Sequence, residues 1–262
     1  MPVKFINLTR EKFLDSYTQI ARFTNLERFI EILKTSEFTF INPSKWTDPF
    51  ERFFLEREYI IEDKKLTLPA KGRVYSVCFS STISSDAFWK VYAPKEDGVR
   101  LLIDSEKLLT NFLDLIRDAN VYVGKVNYQI TKEFYKISFD TDLLIEEIEK
   151  KEIGEQQIQL LLKKRKSFLY EDEIRIIVVP KKTQKNKQVY KLPTDIRNFT
   201  DSYTLDPRLG KNQASLLKEY FSQYFLFKVS HSNLYSDLKR NPIILKKTKS
   251  QTMFRTKTKG ST

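Results

Sequence analysis

The stretch Tyr170-Glu171-Asp172-Glu173-Ile174-Arg175-Ile176-Ile177-Val178-Val179 restricts the fold more than any other. The run from Ile174 is β-branched at nearly every position and reads as a strand. Three adjacent acids in front of it are out of place, because carboxylates are depleted in strands and like charges repel. Either they cap the strand at the surface, or one of them is held at the mouth of a cleft for chemistry.

Composition narrows the chemistry. The chain has 262 residues, 40% of them hydrophobic, enough for a substantial core in one large or two small domains. Only 6 glycines are present and neither phosphate-loop pattern, G-x-x-x-x-G-K-[ST] or G-x-G-x-x-G, occurs. Cys78 is the one cysteine and His231 the one histidine. Intrachain disulfides, zinc fingers, the zinc deaminase signature and histidine-based triads are therefore excluded. An all-carboxylate Mg²⁺ site stays open. With 46 Lys and Arg against 34 Asp and Glu, the net charge of +12 makes polyanions plausible partners. The N-terminus lacks a hydrophobic signal core and no apolar run approaches the ~20 residues of a membrane span, so the expected location is the cytoplasm.

Along the chain, Thr24 and Glu27 have capping-box spacing, and Leu26, Phe29, Ile30 and Leu33 make one face of a helix over 25–35. Phe38 to Ile41 reads as a strand, and a helix is expected to start near Pro49. Residues 62–72 read as a polar linker. Val74 to Ser80 is a strand ending in the hydroxyls Ser80, Ser81 and Thr82. A short helix over 86–92, a strand over 99–103, a helix over 106–117 and a strand over 121–128 follow. Residues 141–169 are helical in pattern and end in Lys163-Lys164-Arg165-Lys166, where basic residues complement a helix C-terminus. Lys181 to Lys191, with five lysines and no acid, reads as an exposed hairpin or loop. Asp206 to Gly210 is a turn before a helix over 211–223, and a strand is expected over 225–229. Residues 239–262, with eight basic residues and no acid, read as a flexible tail on a single domain spanning 1–238. Strands and helices mix without a βαβ rhythm, so the expected class is α+β, with mainly antiparallel sheets and flanking helices.

Three places put unusual polar groups at strand ends: Arg22 between Ala21 and Phe23, the hydroxyl run from Ser80, and Glu171-x-Glu173. Each has an ordinary alternative: a surface arginine, turn chemistry, and a solvated strand start paired with Arg175. In this order they resemble the R-S-E arrangement of ADP-ribosyltransferases. The resemblance implies that Arg22 holds the phosphates of NAD as substrate, that Ser80 or Ser81 shapes the nicotinamide-ribose pocket, and that Glu173 is catalytic beside Glu171. An arginine fork suits a pyrophosphate, and a carboxylate stabilises positive charge at the anomeric carbon. Strand alternation would let Glu171 and Glu173 share one face. Among the aromatic residues, Tyr170 and Trp89 are candidates for stacking on the nicotinamide or a base, together with Trp46, Phe79 and Tyr92, against the plainer reading of core packing.

A longer set of blocks is similar to a widespread bacterial family of unknown function. These are Arg22-Phe23, Thr47-Asp48-Pro49-Phe50-Glu51, Cys78-Phe79-Ser80, Trp89-x-x-Tyr92, Gly98-Val99 and Tyr170-Glu171-x-Glu173-x-Arg175. Asp206-Pro207-Arg208-Leu209-Gly210 and Ser232-Asn233-Leu234-Tyr235 resemble its C-terminal part, so the resemblance covers roughly residues 20–236. Thr47 stands where that family has Asn. The family is distantly similar to DarT-like ADP-ribosyltransferases, which implies an ADP-ribosyltransferase-like fold and a toxin or phage-defence effector modifying nucleic acid or protein, with a neutralising or activating partner protein. Two alternatives remain. One is a non-enzymatic nucleic-acid binder using Lys163–Lys166, Lys181–Lys191 and the tail. The other is a Mg²⁺-dependent nuclease using Asp48, Glu51, Glu171 and Glu173.

Overall fold

A computed structural model describes residues 2–136, 140–182 and 187–235. The chain opens with β1 (Lys4–Ile6), α1 (Arg10–Ser16), β2 (Gln19–Asn25), α2 (Leu26–Thr35) and β3 (Glu37–Ile41). Then come α3 (Pro49–Glu56), the hairpin of β4 (Glu58–Ile61) and β5 (Lys64–Thr67), β6 (Tyr75–Ser80) and α4 (Asp86–Tyr92). β7 (Gly98–Asp104), α5 (Ser105–Asn111), β8 (Ala119–Lys125) and β9 (Asn127–Gln129) follow, with α6 (Thr131–Phe134), α7 (Thr141–Glu149) and α8 (Glu155–Leu160) after them. The last elements are β10 (Lys163–Arg165), β11 (Glu173–Pro180), β12 (Val189–Pro193), β13 (Thr200–Leu205), α9 (Lys211–Phe225) and β14 (Val229–His231).

The architecture is α+β, built on a mixed, mainly antiparallel sheet. Its main path runs β1-β8-β11-β6-β2-β7-β13-β14, with β3 and β12 branching from β6. The β1–β8 and β13–β14 pairs are parallel and the other pairs of this sheet are antiparallel. Strand β11 sits between β8 and β6 and is buried on both faces, which is why its sequence is a continuous apolar run. Alternation then divides its side chains. Ile174, Ile176 and Val178 enter one core with Phe29, Phe38 and Phe221, while Ile177 and Val179 enter a second core with Phe54, Phe134 and Ile158. Helices therefore cover both faces.

Local chemistry explains the helix starts. Asn25, one residue later than the capping box placed it, accepts from the Arg28 backbone N–H at 2.9 Å and starts α2. The helix then buries Phe29 and Ile32, worth roughly 1.5–3 kcal/mol for each fully buried side chain. Asp48 caps α3 by accepting from the Phe50 N–H, with Pro49 in the first turn.

Several expectations are corrected. Residues 62–72 are no plain linker, since Lys64–Thr67 pairs with Glu58–Ile61. The 141–169 segment is not one helix: α7 and α8 give way to β10 and a 3-10 turn over Lys166–Glu171. β10 exists because it pairs in parallel with β9 at Lys163↔Asn127, a partner no local pattern announces. The strand expected over 225–229 begins at Val229, because α9 continues through Phe225. Val189–Pro193 forms no hairpin with β11 but pairs with β3. Residues 183–186 and the basic tail over 239–262 lie outside the described residues.

Gly124 on β8 lies opposite Arg175 and directly beneath Leu162, whose methyl groups occupy the space a Cβ would take. Gly124→Ala is expected to overpack this point and cost about 1–3 kcal/mol in urea unfolding. A loss below about 0.5 kcal/mol would show that Leu162 yields freely.

Candidate active site

The cleft forms where the sheet forks. Strand β6 pairs along one edge with β11 from Tyr75 to Ser80. Its other edge is divided: β2 reaches it only at Ala21↔Ser80 and β3 only at Ile41↔Ser76. Between those two points the strands part, and the gap is filled by a side chain. Arg22 donates from Nη1 to the Cys78 carbonyl at 2.9 Å, and its guanidinium carbon stands 5.8 and 5.9 Å from the ring centroids of Phe38 and Phe79.

A cleft of about 870 Å³ opens at this fork. Its lining includes Arg22, Phe79 and Ser80 from the central strands, Trp46 and Asp48 from the turn before α3, Tyr92 from α4, and Lys164, Tyr170, Glu171 and Glu173 from the β10–β11 segment. Arg22 has no carboxylate partner within ion-pair distance among the described residues, and burial lowers its pKa. An arginine half-buried on a cleft wall with one carbonyl partner has donors left for an anion.

The floor carries a buried charge network. Arg175 is 0% exposed and donates from Nη2 to Glu173 Oε2 at 2.7 Å, to Glu51 Oε2, and from Nη1 to the Leu161 carbonyl at 2.6 Å. Lys164, also buried, reaches Glu171 Oε2 at 2.7 Å, Glu51 Oε1 at 3.2 Å and Glu173 Oε2 at 3.4 Å. With all groups ionised, three carboxylates face two cations, a surplus of one negative charge. Burial raises the carboxyl pKa of Glu171, and Lys164 only partly offsets it. Burial also works against ionisation of Glu173, but the charges of Arg175 and Lys164 overcome it and hold this acid below the usual carboxylate range.

The Thr47-Asp48-Pro49-Phe50-Glu51 block has a mechanical purpose here. Asp48 takes a two-pronged contact from Arg165 at 3.0 and 3.3 Å, Glu51 holds Arg175 and Lys164, and Trp46 lies over the Arg175 guanidinium at 4.3 Å. The block is thus a brace under the β10–β11 acids. These four acids each spend oxygens on cations, so they do not form an open metal cage, and no group of three His, Cys, Asp or Glu residues among the described ones is placed to hold a metal ion.

The candidates from the sequence fare differently. Arg22, Ser80, Tyr170, Glu171 and Glu173 all line the one cleft. Ser80, however, is fully used: its hydroxyl donates to the Glu171 carbonyl at 2.6 Å and accepts from the Thr82 N–H at 2.9 Å. Ser81 is not a lining residue; its hydroxyl binds the Asp172 carboxylate, which Lys125 also holds. Trp89 is displaced from the expected role as well. It is 2% exposed in a small core with Ala21, Phe23 and Phe88, edge-on to Phe23 at 4.9 Å, and it does not line the cleft. Glu171 and Glu173 do not share a face through strand alternation. Glu171 ends the 3-10 turn, and Asp172 takes a left-handed conformation at φ 38° that swings both neighbours to one side.

Lys163 and Lys164 are corrected too. Both are buried, Lys163 against backbone carbonyls of Phe134 and Lys136 and Lys164 among the acids, so neither is free for a polyanion. Lys191 pairs with Glu31 and Glu37, and Lys181 donates to the Arg117 carbonyl. Lys164, Arg175 and Glu51 were named from the sequence as a polyanion-binding lysine, a partner at a solvated strand start and a nuclease candidate, and their joining in one buried network is what was missed. Arg175 carried a signal, since a charge inside an apolar strand is tolerated only when paired. Lys164 carried none, because a basic run reads equally well as a solvated helix end.

No described helix is long and apolar enough to cross a membrane. No curated protein matches the chain significantly. Among solved structures, the chain is similar to DarT from Thermus sp. 2.9 in complex with ADP-ribosylated ssDNA, with 9% identity and a TM-score of 0.39 over 88% of this chain and 96% of that one. Residues 88–176, which carry the Trp89-x-x-Tyr92, Gly98-Val99 and Tyr170-to-Arg175 blocks, match the model of DUF2971, a protein family of unknown function.

Proposed function

We propose that the cleft binds NAD as substrate and that the chain is an ADP-ribosyltransferase modifying nucleic acid or protein. The observation that carries this reading is the charge layout of one cavity. An arginine with no acidic partner among the described residues stands on one wall, and an acid cluster with a surplus negative charge lies on the floor. NAD has the complementary layout, a pyrophosphate anion joined through ribose to a cationic nicotinamide ring. Trp46 and the exposed Tyr170 supply flat surfaces for the rings.

In the reaction, the bond from the ribose anomeric carbon to the nicotinamide nitrogen breaks. Its electron pair goes to the nitrogen, so neutral nicotinamide leaves. The positive charge developing on the ribose is stabilised by the carboxylates, and the acceptor nucleophile adds to the anomeric carbon and loses its proton. Use as a toxin or phage-defence effector in the cytoplasm, under the control of a partner protein, follows the resemblance of the sequence blocks and belongs to this proposal.

Arg22→Ala is expected to weaken NAD binding about 10- to 100-fold, the worth of one or two charge-assisted hydrogen bonds. Titration calorimetry measures it, alongside transfer of labelled ADP-ribose to DNA, RNA and protein mixtures. Arg22→Lys keeps the charge without the fork and should fall between. Equal affinity of the wild type and Arg22→Ala, or no NAD binding and no NAD cleavage, would remove the proposal.

A further inference from the structure

We infer that Glu171 is the acid that touches the substrate, and that Glu173 and Lys164 are positioning residues acting through it. This rests on the reading of the cleft as an NAD site and assigns separate roles to its two lining acids.

Glu173 lines the cleft but has one carboxylate oxygen tied to the two buried cations. Its Oε2 receives Arg175 Nη2 at 2.7 Å, Arg175 Nε at 3.3 Å and Lys164 Nζ at 3.4 Å. Its backbone N–H is held by the Tyr128 hydroxyl at 2.9 Å, and its strand position is locked opposite Ser80. A carboxylate with this many fixed donors gains little from another, and moving it toward a ribose would take from the buried Arg175 one of its two carboxylate partners.

Glu171 is held differently. Its backbone is pinned by the Ser80 hydroxyl, but its side chain has one cationic partner, Lys164 at 2.7 Å. It follows Tyr170, which is 47% exposed at the cleft mouth, and it ends a turn instead of lying within the sheet ladder. Substrate hydroxyls can therefore compete for or share this carboxylate without dismantling the core. Lys164 bridges Glu171, Glu173 and Glu51, so its position transmits the state of the inner acids to the outer one. The raised pKa of Glu171 adds a readout. Its proton must leave before it can stabilise positive charge, so activity should rise with pH through a window above the ordinary glutamate range.

The test is carbodiimide coupling of a small amine to the intact wild-type protein at mildly acidic pH, with peptide mass mapping, with and without NAD. Glu171 should be labelled, Glu173 should remain unlabelled, and NAD should protect Glu171. In parallel, Glu171→Gln should lower NAD cleavage about 10²- to 10³-fold at an unchanged melting temperature. Glu173→Gln should lower the melting temperature and move the acid limb of the pH profile. Labelling of Glu173 as fast as Glu171, or a greater activity loss in Glu173→Gln at unchanged stability, overturns the assignment. If NAD neither protects nor is cleaved, the NAD reading falls, while the labelling ratio still decides which acid is open to the cleft.

Discussion

Replacing Arg175 by Met is expected to cost about 3–5 kcal/mol of folding stability, because it leaves Glu173 and Glu51 buried without their strongest cation. For a chain of this size that is a fall in melting temperature on the order of 10 °C. Lys164 alone would then face three carboxylates, and protonating one of them is the cheapest response. The loss should therefore be smallest at low pH and grow as pH rises. The double substitution Arg175→Met with Glu173→Gln removes one charge of each sign and should recover part of the loss. Thermal unfolding followed by circular dichroism measures all three chains. A shift below about 2 °C for Arg175→Met, or no recovery in the double variant, would mean that the network contributes nothing as a unit.

Trp89→Ala is the second large effect. The ring packs with Ala21, Phe23 and Phe88 and lies against Gly98, and the backbone carbonyl of Trp89 accepts from Arg208 Nη2 at 2.8 Å. Truncation leaves a cavity under α4 and should cost about 3–5 kcal/mol. Trp89→Phe refills most of that space and should cost less. Because Trp89 does not line the cleft, Trp89→Phe should leave NAD affinity unchanged by calorimetry. Weakened binding by a stably folded Trp89→Phe chain would restore the ligand-stacking role that its sequence position invites.

The strand from Ile174, the helices at Leu26, Pro49, Asp86 and Lys211, and the α+β class are legible from local pattern, because each rests on periodicity or a cap within a few residues. The fork that opens the cleft is not. It depends on β2 and β3 each touching β6 at a single residue pair, and no feature of Gln19–Asn25 or Glu37–Ile41 taken alone says where pairing stops. The same limit applies to β10, whose parallel partner β9 is far away in sequence.

Trp89 and Tyr170 make the point at the level of side chains. Both are aromatic residues beside polar neighbours, and the chain alone treats them alike. Burial under Gly98 removes one from the cleft, while the turn ending at Glu171 leaves the other at its mouth. Adjacent acids before a β-branched run left two readings open, a solvated cap on the strand and an acid held at a cleft. Which cations neutralise them was decided only by tertiary structure. Arg175 meets Glu51 across 124 residues of sequence and Arg165 meets Asp48 across 117. Local physics sets where a charge begins; the ionisation of a buried acid depends on whichever groups the folded chain brings within a few ångströms of it.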